Sequence, residues 1–289
     1  MESTQPSIFV TKSSGTKAPF SSEKLKQSLK RSGATPELIE KILNELYKQV
    51  YPNMPTRTLY KMAYDLLKKS SRQVAGRYRL KQAIFELGPS GFPFEQYIAQ
   101  LFKQAGYSIT TNELMTGHCV THEVDIYAVK NSRSYIIECK YHQLQGTHCD
   151  VKIPLYIQSR FKDIEWKLKD ANKQPEQEYR GWLVTNTRIT PDATQYAACM
   201  GLNMLSWDYP AGRGLKDVVD KTGLYPITCL STLSRHEKYM LLEKGVVLCR
   251  TLVEQPDLLT NTNIISPRYD LAIAEARHLC ENIATLEWA

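Results

Sequence analysis

The stretch THEVDIYAVKNSRSYIIECKYH, residues 121–142, decides the fold and the chemistry expected of this chain. Two apolar strands flank a polar turn at Asn131, which predicts a buried hairpin. Successive side chains of a strand point to opposite faces, so Glu138 and Lys140 project the same way, and the turn can bring Asp125 of the partner strand close to them. The stretch therefore predicts two carboxylates and an ammonium group at one end of a sheet.

Two carboxylates and an ammonium group in this arrangement suit metal-assisted hydrolysis. Two carboxylates can hold Mg²⁺, which prefers oxygen ligands and keeps several waters, one of which can become a nucleophile. Lys140 can orient or deprotonate that water and stabilise charge developing on a phosphate. Asp125, Glu138 and Lys140 thus predict metal-assisted phosphodiester hydrolysis, and an exposed hairpin with a cross-strand ion pair is the alternative. Glu123 points to the same face as Asp125 and is a second candidate ligand.

Composition limits the class of protein. The chain has 289 residues, enough for two or three domains with cores of their own. Its net charge of +7 favours polyanionic partners such as nucleic acid or nucleotide phosphate, with a solvated basic surface as the alternative. Seven cysteines stand singly without a CxxC pair, which indicates a reduced chain. We find no signal core or membrane-spanning run and expect a soluble, cytoplasmic protein with no membrane partner.

Helical and strand patterns alternate around the hairpin. It is preceded by a helix FEQYIAQLFKQAGY, and it is followed by a helix near KIPLYIQSRFKDIEWKL, a strand GWLVTNT, a helix TPDATQYAACMG and a strand LNMLSWDY. A mixed sheet covered by helices is therefore expected. Past WDYPAGRG, segments such as TLSRHEKYMLLEKGVVLC and PRYDLAIAEARHLCENIATL predict a tail of short helices.

This order of elements resembles the restriction-endonuclease-like fold, specifically the Mrr-like branch of the PD-(D/E)xK nucleases. The resemblance is carried by FEQYIAQLF, HEVDIYA, YIIECKYH and WLVTNTRITPDATQYAACMGLNMLSWDYP. It implies that Asp125 and Glu138 bind the metal and that Lys140 is the catalytic lysine. It also implies an auxiliary acidic ligand, Glu95, in the first helix, and it makes Gln158 a candidate for the glutamine that many Mrr-like enzymes carry after the lysine strand.

The N-terminal residues predict a small hairpin and a helical bundle. IFVTKSSGTKAPF indicates two short strands around a Ser-Ser-Gly turn. A helix capped at Ser21 or Ser22 follows, and Thr35-Pro36 opens a second helix. MPTRTLYKMAYDLLKKS predicts a third helix, and residues 73–87 predict a fourth.

Three segments of this unit resemble the ATP-cone, a nucleotide-binding regulatory domain of ribonucleotide reductases and of their transcriptional repressor: VTKSSGTKAPFSSEKLKQSLKRSG, MPTRTLYKMAYDLL and AGRYRLKQAIFELGPSGFPFE. The resemblance implies ATP or dATP as a regulatory ligand. By position, Lys12 and Lys24 would contact phosphates, while the base would lie among Val10, Phe20, Leu25 and Leu59, with Thr56 at the pocket edge. The turn reads KSSG where the family usually has KRDG, so one expected basic contact is absent. A helical oligomerisation domain without nucleotide is the alternative.

Other residues suggest further sites. Four histidines and two cysteines near the hairpin are candidates for a zinc site: His118, His122, His142, His148, Cys119 and Cys149. Their spacings fit no closed Cys/His pattern. His142 or His148 could instead contact DNA phosphate. In the C-terminal tail, LSRHEKYMLLEKGVVLC resembles a helix-hairpin-helix DNA-binding element through Gly245, and an ordinary packed tail is the alternative.

These observations predict an α/β chain in three parts: an ATP-cone at 1–92, a restriction-endonuclease-like nuclease domain at 93–212, and a helical region at 213–289. We predict a DNA endonuclease that needs Mg²⁺ or Mn²⁺, is regulated by ATP or dATP, and forms a homo-oligomer, plausibly in defence against foreign DNA. A non-catalytic, nucleotide-responsive DNA-binding regulator and an RNase are the alternatives.

Overall fold

The computed structural model describes residues 8–171, 177–262, 264–281 and 286 and confirms the mixed α/β fold class. A small three-stranded sheet with helices comes first along the chain. A five-stranded mixed sheet covered by helices follows, and a helical region comes last. The order of these parts agrees with the sequence prediction.

The N-terminal unit is a small sheet packed against three helices. Strands β1 (Phe9–Thr11), β2 (Lys17–Pro19) and β3 (Met54–Pro55) lie in the order β2-β1-β3, with β1 antiparallel to β2 and parallel to β3. The helices are α1 (Ser22–Arg31), α2 (Pro36–Tyr47) and α3 (Thr56–Ser70). Ser21 and Thr35 cap α1 and α2 as predicted, because their hydroxyls accept hydrogen bonds from backbone amides in the first turn at 3.3 Å.

The single helix predicted over residues 73–87 is two helices, α4 (Arg72–Tyr78) and α5 (Leu80–Phe85). The break falls at Arg79, whose φ of −83° and ψ of 4° leave the helical conformation. The Arg79 guanidinium lies 2.6 Å from both carboxylate oxygens of Glu86, so the residue at the break pairs with the residue that ends α5. Helix α4 packs in the cluster of the N-terminal helices, whereas α5 packs in the cluster that includes the central sheet, and apolar periodicity does not reveal this change.

The central sheet has the order β10-β8-β6-β5-β4. Its strands are β4 (Ser108–Thr116), β5 (Thr121–Lys130), β6 (Arg133–Lys140), β8 (Glu178–Thr185) and β10 (Asn203–Leu205), and a separate pair is formed by β7 (His148–Cys149) and β9 (Arg188–Ile189). Strands β4, β5 and β6 are antiparallel, whereas β6, β8 and β10 are parallel. The predicted hairpin, β5 and β6, is therefore the centre of the sheet.

Helices cover both faces of this sheet. Helix α6 (Phe92–Gln104) packs on one face, while α7 (Lys152–Ala171) and α8 (Pro191–Met200) pack on the other. Strand β4 is not predicted from the sequence, because its residues SITTNELMT lie at the sheet edge, are mostly exposed and lack apolar alternation. No helix in the described ranges is both long and apolar enough to cross a membrane.

The C-terminal region is helical, as predicted, and packs closely on the parts before it. It contains α9 (Leu215–Thr222), α10 (Arg235–Glu243), α11 (Cys249–Glu254) and α12 (Arg268–Leu279), with 3-10 helices at Ile227–Cys229 and Pro256–Thr262. The Tyr97 hydroxyl of α6 donates to the Leu224 carbonyl, and the Thr228 hydroxyl donates to the Ala83 carbonyl of α5, both at 2.8 Å.

One apolar cluster runs through α5, α6, the central sheet and the C-terminal helices. The domain boundaries at residues 92 and 212 stay predictions. Gly245 ends α10 with a φ of 74°, the left-handed conformation typical of a residue after a helix, and this agrees with the packed-tail alternative. Residues 282–285 of the last predicted helix lie outside the described residues.

Candidate functional site

The two central strands separate at Asp125. Strand β5 pairs with β6 from the Ile126–Ile137 pair to the Lys130–Arg133 pair. Beyond Ile126 the side chain of Asp125 replaces the strand pairing, because its Oδ2 accepts a hydrogen bond from the Cys139 amide at 2.7 Å. The sheet thus forms a fork whose two arms carry the carboxylates of Asp125 and Glu138.

Glu138 is buried in this fork with only half of its carboxylate satisfied. Glu138 is 8% exposed, and its Oε2 accepts a hydrogen bond from Arg160 Nη1 of α7 at 2.7 Å. Its Oε1 has no hydrogen-bond partner among the described residues. Burial, followed by the charge of Asp125, raises the pKa of Glu138 to about 8, although Arg160 opposes the rise. This oxygen, without a partner among the described residues, could accept a hydrogen bond or contact a cation.

A third carboxylate reaches the fork from the opposite layer. Glu95 lies in the first turn of α6, and burial together with the charges of Asp125 and Glu123 raises its pKa to about 7. Burial also raises the pKa of Asp125, against the opposing hydrogen bond from the Cys139 amide. The structure therefore brings the predicted acids Glu95, Asp125 and Glu138 into one electrostatic environment.

The cation that contacts these acids is not the one predicted. The Lys140 side chain is exposed and makes no hydrogen bond or ion pair with any other residue that the structure describes. Arg160 instead pairs with Glu138 and donates from Nη2 to the Glu123 carbonyl. The catalytic role of Lys140 stays a prediction, and Arg160 is a site residue that the sequence interpretation missed.

Arg160 lies in the helix that carries Gln158, and its pairing with Glu138 depends on how that helix lies across the sheet. Two residues along a helix correspond to about 200°, so the two side chains face opposite directions. Arg160 faces the fork, whereas Gln158 is buried and its Nε2 donates to the Met200 carbonyl of α8 at 3.4 Å. Gln158 therefore does not contact the carboxylates in this structure.

The donor atoms at the fork are carboxylate oxygens, which are the ligands that Mg²⁺ and Mn²⁺ prefer. Within the described residues, no three His, Cys, Asp or Glu side chains are gathered tightly enough to enclose a cation. Among the described residues, Asp125 and Glu138 are thus the two side chains that the fork would offer to a cation. That number suits Mg²⁺, which is commonly bound by one or two carboxylates and several waters.

The histidines and cysteines considered for zinc have other neighbours. His122 Nε2 lies 2.7 Å from Asp163 Oδ2, and His118 stacks on Trp166. The His142 amide donates to Asn186 Oδ1 at 2.8 Å, while Cys149 is buried and Cys119 and His148 are exposed.

The residues predicted to bind nucleotide fall into two groups. Val10 and Leu59 pack together with Met54, Leu25 packs among the helices, and half-buried Phe20 touches both clusters. The polar candidates are accessible: Lys12 and Lys24 are exposed, and Thr56 is half-buried at the start of α3. The apolar members form the core of the N-terminal unit, and their role toward a base stays a prediction.

The loop after β6 links the fork to the N-terminal unit. The Tyr141 hydroxyl donates to the Phe85 carbonyl of α5 at 2.6 Å. Gln145 Nε2 donates to Gln82 Oε1, also in α5, at 2.8 Å. The residues that follow Lys140 are therefore held by the last helices of the unit.

The same loop reaches the first hairpin. Gly146 has a φ of 95° and lies against the backbone of Ser13 and Ser14, where an added Cβ would come within 3.3 Å. The loop therefore touches the turn that carries Lys12, so a change at that turn would be felt close to Lys140.

Comparisons with known proteins confirm the N-terminal prediction. Residues 8–83 match the family model of the ATP cone domain, and residues 225–280 match that of the AF1548-like C-terminal domain. The crystal structure of a protein of unknown function, AF1548, is similar with a TM-score of 0.53 and 28% identity, covering 66% of this chain and 98% of that one. The MspJI restriction endonuclease, solved with a 27-mer oligonucleotide, has a TM-score of 0.36 and 12% identity, covering 60% of this chain and 36% of that one.

An uncharacterized protein of Archaeoglobus fulgidus is 32% identical to this chain over 181 residues, which are 62% of this chain and 98% of the relative. Nearly the whole relative is thus represented here, and the match to the AF1548-like C-terminal domain falls on the helices that pack against α5 and α6. The chain belongs to the same protein family as this Archaeoglobus fulgidus protein, and it carries an ATP cone at its N-terminus.

Proposed function

We propose that the protein is a metal-dependent endonuclease that hydrolyses DNA phosphodiester bonds under the control of an adenine nucleotide. The observation that carries the nuclease proposal is the fork, where Glu138 keeps a buried, unpartnered oxygen beside Asp125 and Glu95. Clustered carboxylates with raised pKa values are costly to ionise, and that cost falls when a divalent cation binds.

Each residue of the fork would have a separate role in hydrolysis. Asp125 and Glu138 would hold Mg²⁺ or Mn²⁺, which polarises a phosphoryl oxygen and lowers the pKa of a bound water when present. Arg160 would keep Glu138 fixed and offset part of the negative charge. Lys140 would orient or deprotonate the attacking water, and Glu95 would assist from the edge of the site.

The regulatory part of the proposal is supported by the ATP-cone match and by the loop after β6. ATP or dATP bound near Lys12 would act on the turn that Gly146 touches, and the loop would pass the change toward Lys140. A nucleotide shifts an equilibrium only when it binds one state better than another. We propose that bound nucleotide changes the oligomer and restrains cleavage, so that falling nucleotide levels release it against foreign DNA.

The test is cleavage of plasmid and of matched DNA and RNA oligonucleotides by the purified chain. Cleavage with Mg²⁺ or Mn²⁺, and none with EDTA, is expected, and ATP or dATP should slow it. Lys140→Ala should lower the rate by about 10²- to 10⁴-fold if it acts in proton transfer. DNA binding without cleavage under any metal would instead favour the non-catalytic regulator, and cleavage of RNA alone would favour the RNase.

A further inference from the structure

Two exposed aromatic rings flank the fork on helix α7. Tyr156 and Trp166 are each 62% exposed, and Arg160, which pairs with Glu138, lies between them in sequence. At 1.5 Å per residue, the rings lie about 6 Å before and about 9 Å after Arg160 along the helix axis. At 100° per residue, all three side chains fall within about a third of the helix circumference. Tyr156 therefore stands on the edge of α7 that borders the carboxylates, and Trp166 stands farther along the helix, about 120° round from Arg160.

The Trp166 ring is already part of a flat stack. His118 lies parallel to it, with ring centroids 4.1 Å apart and an angle of 5° between the planes. His118 comes from the turn between β4 and β5 and is itself exposed. The stack thus presents a planar aromatic surface to solvent on the helix that carries Arg160.

The turn that presents His118 is held independently of the stack. Asp163 Oδ1 accepts from the Cys119 amide at 2.7 Å, and Asp163 Oδ2 lies 2.7 Å from His122 Nε2. Gly117 has no room for a side chain, because a Cβ there would lie 2.0 Å from Asp163 Oδ2. Because these hydrogen bonds to Asp163 hold the turn, the stack is not needed to hold it. Much of the indole is exposed to solvent and does not contribute to packing.

The charges around the rings suit a nucleic acid. The Arg160 guanidinium lies 5.4 Å from the centre of the Tyr156 ring. Four lysines of α7 are exposed along the same helix, Lys152, Lys162, Lys167 and Lys169, of which Lys162 and Lys169 pair with Glu165 at 2.7 and 2.8 Å. Stacking rings combined with cations are the means by which proteins bind unpaired bases and the phosphates that join them.

We propose that Trp166, backed by His118, is a stacking platform for an unpaired base of a DNA strand, and that Tyr156 is a second platform on the other side of the fork. The inference rests on the proposed nuclease function and names its substrate more closely: DNA with unstacked bases near the cleaved phosphate, in preference to a closed duplex. The rigid turn means that the platform is formed before the strand binds.

Intrinsic tryptophan fluorescence in EDTA tests the platform without cleavage. A single-stranded DNA oligonucleotide should quench the fluorescence of the full chain, and Trp166→Phe should remove that quenching while retaining binding. Trp166→Ala should weaken single-strand binding by about 5- to 100-fold, as expected for the loss of one stacked base. Tyr51→Ala, which removes an exposed ring between α2 and β3, is the matched control and should bind like the wild type.

The outcomes separate the two proposals. Equal single-strand affinity of Trp166→Ala and the wild type, or an equal loss of affinity for duplex and single strand, would overturn the platform. Binding of RNA but not DNA would overturn the DNA assignment. A wild type that shows Trp166-dependent quenching but cleaves nothing with Mg²⁺ or Mn²⁺ would contradict the nuclease proposal and leave the platform in place.

Discussion

Two buried glutamates in this molecule have opposite environments. Glu275 of α12 is 4% exposed, and both of its oxygens are satisfied. Its Oε1 accepts from the Ser231 amide at 2.7 Å, while its Oε2 accepts from the Thr232 amide and hydroxyl at 3.0 and 2.7 Å. Glu138 in the fork is 8% exposed, yet one of its oxygens has no partner among the described residues.

This difference separates a structural acid from a candidate functional one. Burying a carboxylate is costly unless hydrogen bonds replace the lost water. Around Glu275 the chain supplies three donors in adjacent residues, so the acid stabilises a turn. Around Glu138 it supplies one cation and places two further acids nearby, so the unfavourable energy remains until another group binds.

The sharpest test of the comparison exchanges each acid for its amide. Glu138→Gln should reduce DNA cleavage to background, because the amide cannot replace the metal ligand, while circular dichroism shows an intact fold. Glu275→Gln should lower the free energy of unfolding by roughly 1 to 3 kcal/mol, since its amide nitrogen would face another donor. Its cleavage rate per folded molecule should match the wild type. Glu138→Gln protein that cuts at the wild-type rate would end the nuclease proposal.

A second test uses stability and pH in the absence of divalent metal. The pKa of Glu138 in the folded protein, about 8, lies above the ordinary value of 4.5. The folded state therefore holds this proton more tightly than the unfolded state. The resulting contribution to the free energy of unfolding is complete below pH 4.5 and is lost as pH rises toward 8. Glu138→Gln removes this loss and should be more stable than the wild type at pH 9 by roughly 3 to 5 kcal/mol, with little difference near pH 4.5. Denaturant melts in EDTA at several pH values measure this. A difference that does not depend on pH would contradict the predicted environment of Glu138.

Most of the fold follows from local signals. Caps at Ser21 and Thr35, and the apolar alternation of β5 and β6, place the elements correctly because short-range hydrogen bonds and burial determine them. Strand β4 escapes prediction because an edge strand buries little. The break at Arg79 escapes it because α4 and α5 pack in different apolar clusters, which only the tertiary structure shows.

The candidate site is predictable only in part. The acids Asp125 and Glu138 can be placed from strand alternation and the turn between them. The sequence could not show that Arg160, rather than Lys140, contacts Glu138, because that pairing depends on how α7 lies across the sheet. Likewise, His118 and Trp166 are 48 positions apart in the sequence, and only the fold stacks them.

The ATP cone allows the same comparison, between structural and functional charges, to be made for exposed lysines. Lys12 and Lys24 are exposed, so their removal should leave folding stability nearly unchanged. If they contact nucleotide phosphates, each substitution to Ala should weaken ATP or dATP binding by about 1.5 to 3 kcal/mol. Calorimetry measures the binding, with Lys41→Ala of α2 as a control for an exposed lysine outside the predicted site. No heat from the wild type at millimolar nucleotide would reduce the cone to a structural domain.

The smallest expected effect concerns the path between the cone and the fork. Gln145 contacts Gln82 of α5 and lies next to Gly146, which touches the first hairpin, while having no contact with the carboxylates among the described residues. Gln145→Ala should therefore leave both nucleotide affinity and nucleotide-free cleavage close to the wild type. It should bring the cleavage rates with and without nucleotide closer together, by roughly 2- to 10-fold, as expected for the loss of one hydrogen bond worth about 0.5 to 1.5 kcal/mol. Gln27→Ala, which removes a similar hydrogen bond to Glu23 on the surface of α1, is the matched control. If nucleotide changes the cleavage rate of the wild type and that of Gln145→Ala by the same factor, the signal does not pass through this contact. The remaining covalent path is then the short segment between α5 and α6, which leads directly to Glu95.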